Sequence, residues 1–393
     1  MIPLMKNTFF KEYETRKALS EFILQAGKLS MGERCVEFEK AFAKLQGRSQ
    51  AILFNSGGSA NLALIQGLRN LEMLGKGEKV GFSSLTWSTN VMPILQMGLV
   101  PVPIDCEPST LNVTSGTLAE RIGTTGLKAL FLTNALGFAG DLDAIRTLCA
   151  SSGIMLLEDN CEALGTELPA GRTGNFGLAS TFSFFVAHHM STIEGGMVAT
   201  DDDELADMLR IVRANGWDRN LSAVKQLKWR KRFNVPNELQ AKYTFYDLGF
   251  NFRPTEITGF LGAQQMRFLE ENIRARERNH LLIERIVEGN DDLLPIRHDH
   301  ISRLSPFALP VLCRDGRLRE LYLNQFSGAG IEVRPIIAGN IQNQPFYRRY
   351  VEERYDLPGT AFIDRCGFYC GNYPELTESD IDVICSCLFK VVQ

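Results

Sequence analysis

The sequence predicts an α/β protein: a mostly parallel central sheet in a large domain, residues 1–268, followed by a smaller α+β domain, residues 269–393. Three observations lead there. Short apolar runs alternate with helical stretches between residues 51 and 200, the pattern of a parallel sheet with crossover helices. Small, polar and acidic residues follow those runs directly, where open parallel sheets gather ligands. A long charged helix, about residues 269–288, then leads into a strand–helix–strand pattern.

The elements follow in order. Residues 7–26 are helical, with Phe9, Phe10, Tyr13, Leu19, Phe22, Ile23 and Leu24 on one broad face. Ser30-Met31-Gly32 interrupts, and a second helix spans about residues 33–45. Ala51–Phe54 is a strand that runs into the small-residue turn Asn55-Ser56-Gly57-Gly58-Ser59-Ala60-Asn61 and a helix. Lys79–Phe82 is a strand, followed by a polar turn holding Trp87 and a helix over VMPILQMG. Val100–Ile104 and Ala129–Leu132 are strands, Leu142–Ser151 a helix, and Ile154–Leu157 a strand ending on Glu158-Asp159-Asn160-Cys161-Glu162.

Phe182–Val186 is a strand-like run that leads to adjacent histidines, His188 and His189, then to Glu194-Gly195-Gly196 and a further strand, Met197–Thr200. Asp201-Asp202-Asp203-Glu204 caps a helix reaching Arg213. The basic stretch 225–242 is expected as a solvated surface excursion, and Glu256–Met266 as a helix of small residues. Beyond the long helix, Phe307–Leu312 and Ile331–Pro335 are strands, Leu318–Phe326 is a helix, and a last helix covers about residues 378–391. No internal repeat or low-complexity segment is present.

Hydrophobic residues make up 45% of the chain and charged residues 22%, the balance of a soluble globular protein. A net charge of −4 and a pI near 5.9 argue against a chain whose main task is gripping nucleic acid. No apolar run approaches the roughly 18 residues of a membrane span, and the start lacks a signal-peptide core, so a cytoplasmic protein is expected. The nine scattered cysteines read as reduced thiols. Cys366, Cys370, Cys385 and Cys387 form no CxxC pair, and no metal-ligand set is assigned.

Several of these pieces carry chemistry if they share one pocket. Gly57, Gly58 and Ser59 open a helix, where free amides receive an anion. Alone, the turn reads as a plain strand–helix connection. Trp87 offers a flat ring, though it could equally anchor the core. Asp159 stands at a strand end, where a helix cap is the simpler reading. Ser183 adds a hydroxyl and His188 an imidazole, and most histidines are merely satisfied core or surface residues. Together they suit a phosphorylated aromatic cofactor whose ring nitrogen a carboxylate keeps protonated, which makes the ring an electron sink.

The motifs NSGGSANLAL, LTWST, LLEDNCEALGT, FSFF…EGG, ANGWDRN, GFNFRPTEITGFLGAQQ and IEVRPI span essentially the whole chain. The sequence resembles the sugar aminotransferase superfamily, pyridoxal-phosphate enzymes of fold type I acting on nucleotide-linked 4-keto sugars. In ordinary members a lysine stands five residues after the serine matching Ser183 and seven before the glycine matching Gly195; both counts land on His188 here. No lysine occurs between Lys128 and Lys225. A lysine amine bonds covalently to the cofactor aldehyde, whereas an imidazole only moves protons and accepts or donates hydrogen bonds.

The histidine-for-lysine members are 3-dehydratases of deoxysugar and lipopolysaccharide O-antigen synthesis. The resemblance therefore implies 3-dehydration of a GDP-linked 4-keto-6-deoxymannose with pyridoxal/pyridoxamine phosphate, glutamate as amino donor and release of ammonia. It further implies phosphate binding by Gly57, Gly58 and Ser183, stacking by Trp87, pairing of Asp159 with the ring nitrogen and approach of Glu162 to the ring hydroxyl. His188 would be the proton carrier, with His189 as support or second carrier. Asn251 would reach the phosphate in a partner subunit, making a homodimer with shared sites, and Arg219 and Arg334 would meet substrates. Two alternatives stay open: a nucleotide-sugar 4-aminotransferase using a lysine from elsewhere, and an iron–sulfur-dependent CDP-sugar 3-dehydratase. The second is disfavoured because Cys385-x-Cys387 is followed by only six residues.

Overall fold

The computed structural model describes residues 1–5 and 9–390; positions 7 and 8 of the first expected helix and 391 of the last lie outside the described residues. The strands are β1 (Gln50–Phe54), β2 (Lys79–Ser83), β3 (Val100–Ile104), β4 (Leu127–Thr133), β5 (Met155–Asp159), β6 (Glu167–Leu168), β7 (Gly171–Arg172), β8 (Ala179–Ser183), β9 (Gly196–Thr200), β10 (Ala308–Leu312), β11 (Val333–Arg334) and β12 (Gly367–Gly371). Seven of them form one sheet in the order β1-β9-β8-β5-β4-β2-β3. β9 is antiparallel to both its neighbours, β1 and β8. The remaining pairings are parallel. Every strand of this sheet except β9 therefore runs the same way, and their carboxyl ends share one edge.

The apolar runs are short because each strand is covered on both faces. Helices Gly57–Asn70, Ser88–Gln96 and Asp203–Arg213 pack Leu64, Ile94 and Leu209 against Phe82 and Phe131. On the opposite face Leu118 and Ile145 meet Val102, Ile104 and Leu130. Ile296, Leu304, Ile336 and Ile363 join that same core, so the C-terminal part leans on the large sheet. The second sheet, in the order β10-β12-β11, packs Leu309, Val311 and Phe368 against Ile283 and Val287 of the long helix Leu269–Glu288. Ile2 sits in this core as well, its backbone bridged to Ile331.

Four expectations need correction. The run Phe182–Val186 is strand only as far as Ser183. β8 is Ala179–Ser183, whose small and polar residues are fully buried between β5 and β9. Phe184 leaves the sheet to pack its ring on Phe38 and Phe42. The stretch 225–242 is largely helical, over Ala223–Arg232 and Glu238–Ala241, capped by Ser222 and Asn237. Its buried Trp229 stacks on Phe233 and meets Tyr246, while Lys225 and Arg230 pair with Asp207 and Asp218. Burial of one aromatic, invisible in the charge pattern, decides that region. The strand expected over Ile331–Pro335 shrinks to Val333–Arg334, and the middle strand of the second sheet is β12, which went unread because its glycines and cysteine mask a strand pattern.

Candidate active site

The carboxyl ends of β1, β2, β4, β5 and β8 open onto one cavity of about 360 Å³. Gly57, Gly58, Trp87, Asp159, Glu162, Ser183 and His188 all line it. The strand directions thus gather residues more than a hundred positions apart at one edge, as open parallel sheets do.

Ser56 caps the helix Gly57–Asn70. Its Oγ accepts from the Ser59 amide at 3.0 Å and meets the Ser59 hydroxyl at 2.9 Å. Ser59 gives its amide to this cap, and the residues of the turn that line the cavity are Ser56, Gly57 and Gly58. The first amides of the helix have no intrahelical acceptor and lie at the positive end of its dipole. A Cβ on Gly57 would stand 2.7 Å from Ser183 Cβ and 2.9 Å from its Oγ; one on Gly58 would stand 3.2 Å from Thr89 Cγ2. Only glycine lets the turn close against β8 and leave a small, hydroxyl-flanked hollow, a shape that fits a phosphate.

Asp159 ends β5 and is 4% exposed. Its Oδ2 accepts from Asn61 Nδ2 at 2.9 Å and Asn90 Nδ2 at 2.8 Å, and its Oδ1 from the Cys161 amide at 2.8 Å. These donors fix the carboxylate's direction and leave it lone pairs for one more donor. Trp87 is 58% exposed at the start of helix Ser88–Gln96, so it walls the cavity and does not anchor the core. Glu162 accepts from the Leu136 amide at 2.9 Å. Burial pushes its carboxyl up to about 7, against that hydrogen bond and with the nearby charge of Asp159. Leu136 takes a left-handed φ of 54° to deliver the amide. Ile337, another wall residue, has φ 50°, and Ile193, in the histidine turn, φ 72°. Branched residues in that region are strained, and such strain gathers at functional sites.

His188 is half-buried between Phe185 and Phe307, its ring centroid 5.2 Å from that of Phe307. Its Nδ1 is buried with no partner among the described residues. Desolvation pulls its pKa down to about 4, helped by the positive charge of Arg276 and opposed by a hydrogen bond with Phe185 backbone. At neutral pH it is a neutral imidazole. His189 faces away from the large cavity. It lines a smaller hollow of about 80 Å³ behind His188, and its Nε2 bonds Ser305 O at 3.1 Å. Burial, first, and then the Arg276 charge hold it well below its ordinary pKa.

Three more expected residues stand outside the cavity. Asn251 is exposed, with Oδ1 accepting from Arg253 Nε at 3.1 Å. Arg219 lies 3.8 Å over the Trp217 ring and donates to Lys242 O. Arg334 is exposed and ion-paired with Glu332, although its strand partner Tyr369 lines the cavity. Sequence reading missed Asn61, Asn90, Glu194, Phe307, Ile337 and Tyr369. Asn61 and Glu194 lay inside motifs singled out beforehand, without a role given to them; the others had no local signal. No lysine is among the lining residues.

A mostly parallel sheet with a phosphate-sized cradle, a ring-sized aromatic wall and a buried carboxylate at its carboxyl edge defines the fold type I aminotransferase-like class. The sequence profile of the DegT/DnrJ/EryC1/StrS aminotransferase family matches residues 11–389, and the chain belongs to that family. It is 32% identical over 357 residues to a GDP-4-keto-6-deoxy-D-mannose 3-dehydratase from Yersinia pseudotuberculosis, covering 89% of each chain. A crystal structure of GDP-4-keto-6-deoxymannose-3-dehydratase with a trapped PLP-glutamate geminal diamine superposes with a TM-score of 0.90 at 30% identity, over 99% of this chain and 100% of the other. A mutant of that dehydratase with bound GDP-perosamine gives 0.89 at 29% identity, with the same coverage.

Proposed function

We propose that this chain is a pyridoxal/pyridoxamine-phosphate-dependent 3-dehydratase acting on a GDP-linked 4-keto-6-deoxy sugar, GDP-4-keto-6-deoxymannose, with glutamate as amino donor. The observation that carries the proposal is His188. It lines the cavity, the motif spacing matches it to the lysine of ordinary family members, and no lysine is among the lining residues.

The residues present fit the cofactor. The Gly57 and Gly58 amides and the Ser183 hydroxyl would hold its phosphate, Trp87 would cover its ring, and Asp159 would accept from its ring nitrogen. Glu162, its carboxyl pushed up to about 7, would approach the ring hydroxyl. When bound, the cofactor supplies an electron sink that makes loss of a hydroxyl beside a ketone feasible. His188, neutral at pH 7, accepts a proton on its unprotonated ring nitrogen and returns it to the departing C3 oxygen. Phe185 and Phe307 flank the imidazole and hold its ring in place. Glutamate is oxidised, ammonia is released, and the sugar leaves as its 3-deoxy-4-keto form, one oxygen lighter.

The proposed unit is a homodimer with shared sites. Exposed Tyr243, Phe245 and Leu248 precede Asn251 on one surface segment that suits a partner, and Asn251 faces out of its own cavity. Arg334, beside Tyr369 at the rim, is assigned to substrate carboxylate, and Arg219 to the nucleotide sugar of the shared site. His189 is retained as support for His188. The large and small domains are taken to divide at 268/269. No helix among the described residues is long and apolar enough to cross a membrane, and nine unpaired cysteines suit a cytoplasmic location.

The test is incubation with pyridoxal phosphate, glutamate and GDP-4-keto-6-deoxymannose, followed by mass spectrometry. A nucleotide sugar lighter by one oxygen is expected. A product carrying a new amino group would replace this reading with a 4-aminotransferase.

A further inference from the structure

Away from both cavities, the long helix Leu269–Glu288 carries His280 and Glu284 one turn apart on the same face. The chain leaves that helix, folds back and brings His298 alongside. His298 Nε2 lies 2.6 Å from Glu284 Oε1. One ring nitrogen of His280, one of His298 and a Glu284 oxygen all lie within 4.8 Å of one another. His280 is 6% exposed, and neither of its ring nitrogens has a hydrogen-bond partner among the described residues. Buried polar atoms are nearly always satisfied, and one imidazole with both nitrogens unpaired calls for an explanation. Phe138 presses edge-on against both imidazoles, with centroids 5.4 and 6.3 Å away, so the cluster is dry on that side.

We propose that His280, Glu284 and His298 form a binding site for a divalent transition-metal ion of the zinc class, with water in the fourth position. Two imidazoles and one carboxylate are borderline ligands that suit zinc, whereas magnesium and calcium take all-oxygen sets. Metal–ligand bonds of about 2.0–2.2 Å place tetrahedral ligand atoms roughly 3.3 Å apart. Reaching that spacing opens the His298–Glu284 pair slightly and draws His280 inward, which side-chain rotations accomplish. The ion would fasten the long helix to the segment 298–307. That segment supplies Ser305 O to His189 and Phe307 to the wall beside His188, so the site braces the histidine turn from behind without touching the reacting atoms. This proposal stands apart from the assignment of the reaction.

The test uses the full chain, stripped with chelator and titrated with Zn2+ by calorimetry and with Co2+ by visible absorption. Expected are one saturable equivalent per chain, cobalt bands of tetrahedral or five-coordinate type without a thiolate charge-transfer band, and a melting temperature raised by Zn2+ but not by Mg2+. His280→Gln and His298→Gln should each weaken binding at least about 100-fold, beyond the loss typical of changing an outer hydrogen-bond partner. The wild-type cobalt spectrum decides the matter even if one variant fails to fold. A strong thiolate band, no saturable first equivalent, or unchanged affinity in folded His280→Gln would overturn the proposal.

Discussion

Replacing His188 with asparagine removes the titrating group while keeping a polar side chain of similar reach. A general acid–base contributes about 10²–10⁴-fold, equivalent to roughly 2.7–5.4 kcal/mol of barrier, so kcat/KM should fall by that factor while cofactor binding persists. The structure also fixes where the pH limb should lie. With the His188 pKa near 4, about one imidazole in a thousand is protonated at pH 7. The acid limb of kcat/KM for the free enzyme should therefore sit near pH 4 to 5, well below an ordinary histidine. Arg276→Met removes the second cause of the depression and should move the limb upward, whereas Arg276→Lys should leave it nearly in place. Stability is linked to the same shift. Between about pH 6.5 and 4 the unfolded chain binds a proton that native His188 refuses, so this histidine's share of stability is intact above 6.5 and lost as the pH falls toward 4. Denaturant midpoints across that range should fall less steeply in His188→Asn than in wild type. A wild-type acid limb at 6.5 would refute the effect of burial, and normal turnover in His188→Asn would refute the base.

Gly57→Ala would drive a methyl to within 2.7 Å of Ser183 Cβ, so the cradle must open; pyridoxal-phosphate affinity should drop by about 1.5–3 kcal/mol, read by absorbance titration, and unaltered affinity would remove Gly57 from the phosphate site. Asp159→Asn can still accept from Asn61 and Asn90 on one atom, but its amide nitrogen then meets the Cys161 N–H, donor against donor. A cost of about 1–3 kcal/mol in thermal unfolding and loss of most turnover are expected, and wild-type turnover would take Asp159 out of the chemistry. Asn251→Ala should weaken cofactor binding in a folded dimer, checked by sedimentation with parallel titration; a fully active monomer would end the shared-site reading.

The sequence by itself determined the strand–helix alternation and the bounds of β3 and of the helices Leu142–Ser151, Glu256–Met266 and Leu269–Glu288. It also placed Gly57, Gly58, Trp87, Asp159 and His188 after their runs, because hydrophobic period and turn chemistry are local, although it set Ser183 inside a run where the strand in fact ends. Only the tertiary structure brought Asn61 and Asn90 to Asp159 across 98 and 69 residues, and Phe307, Ile337 and Tyr369 to the far wall. It alone turned His189 away from its neighbour and set His298 beside His280. The reason is physical: a local pattern tells which face of an element is apolar, but which distant side chains meet there depends on sheet order and on how the C-terminal part docks.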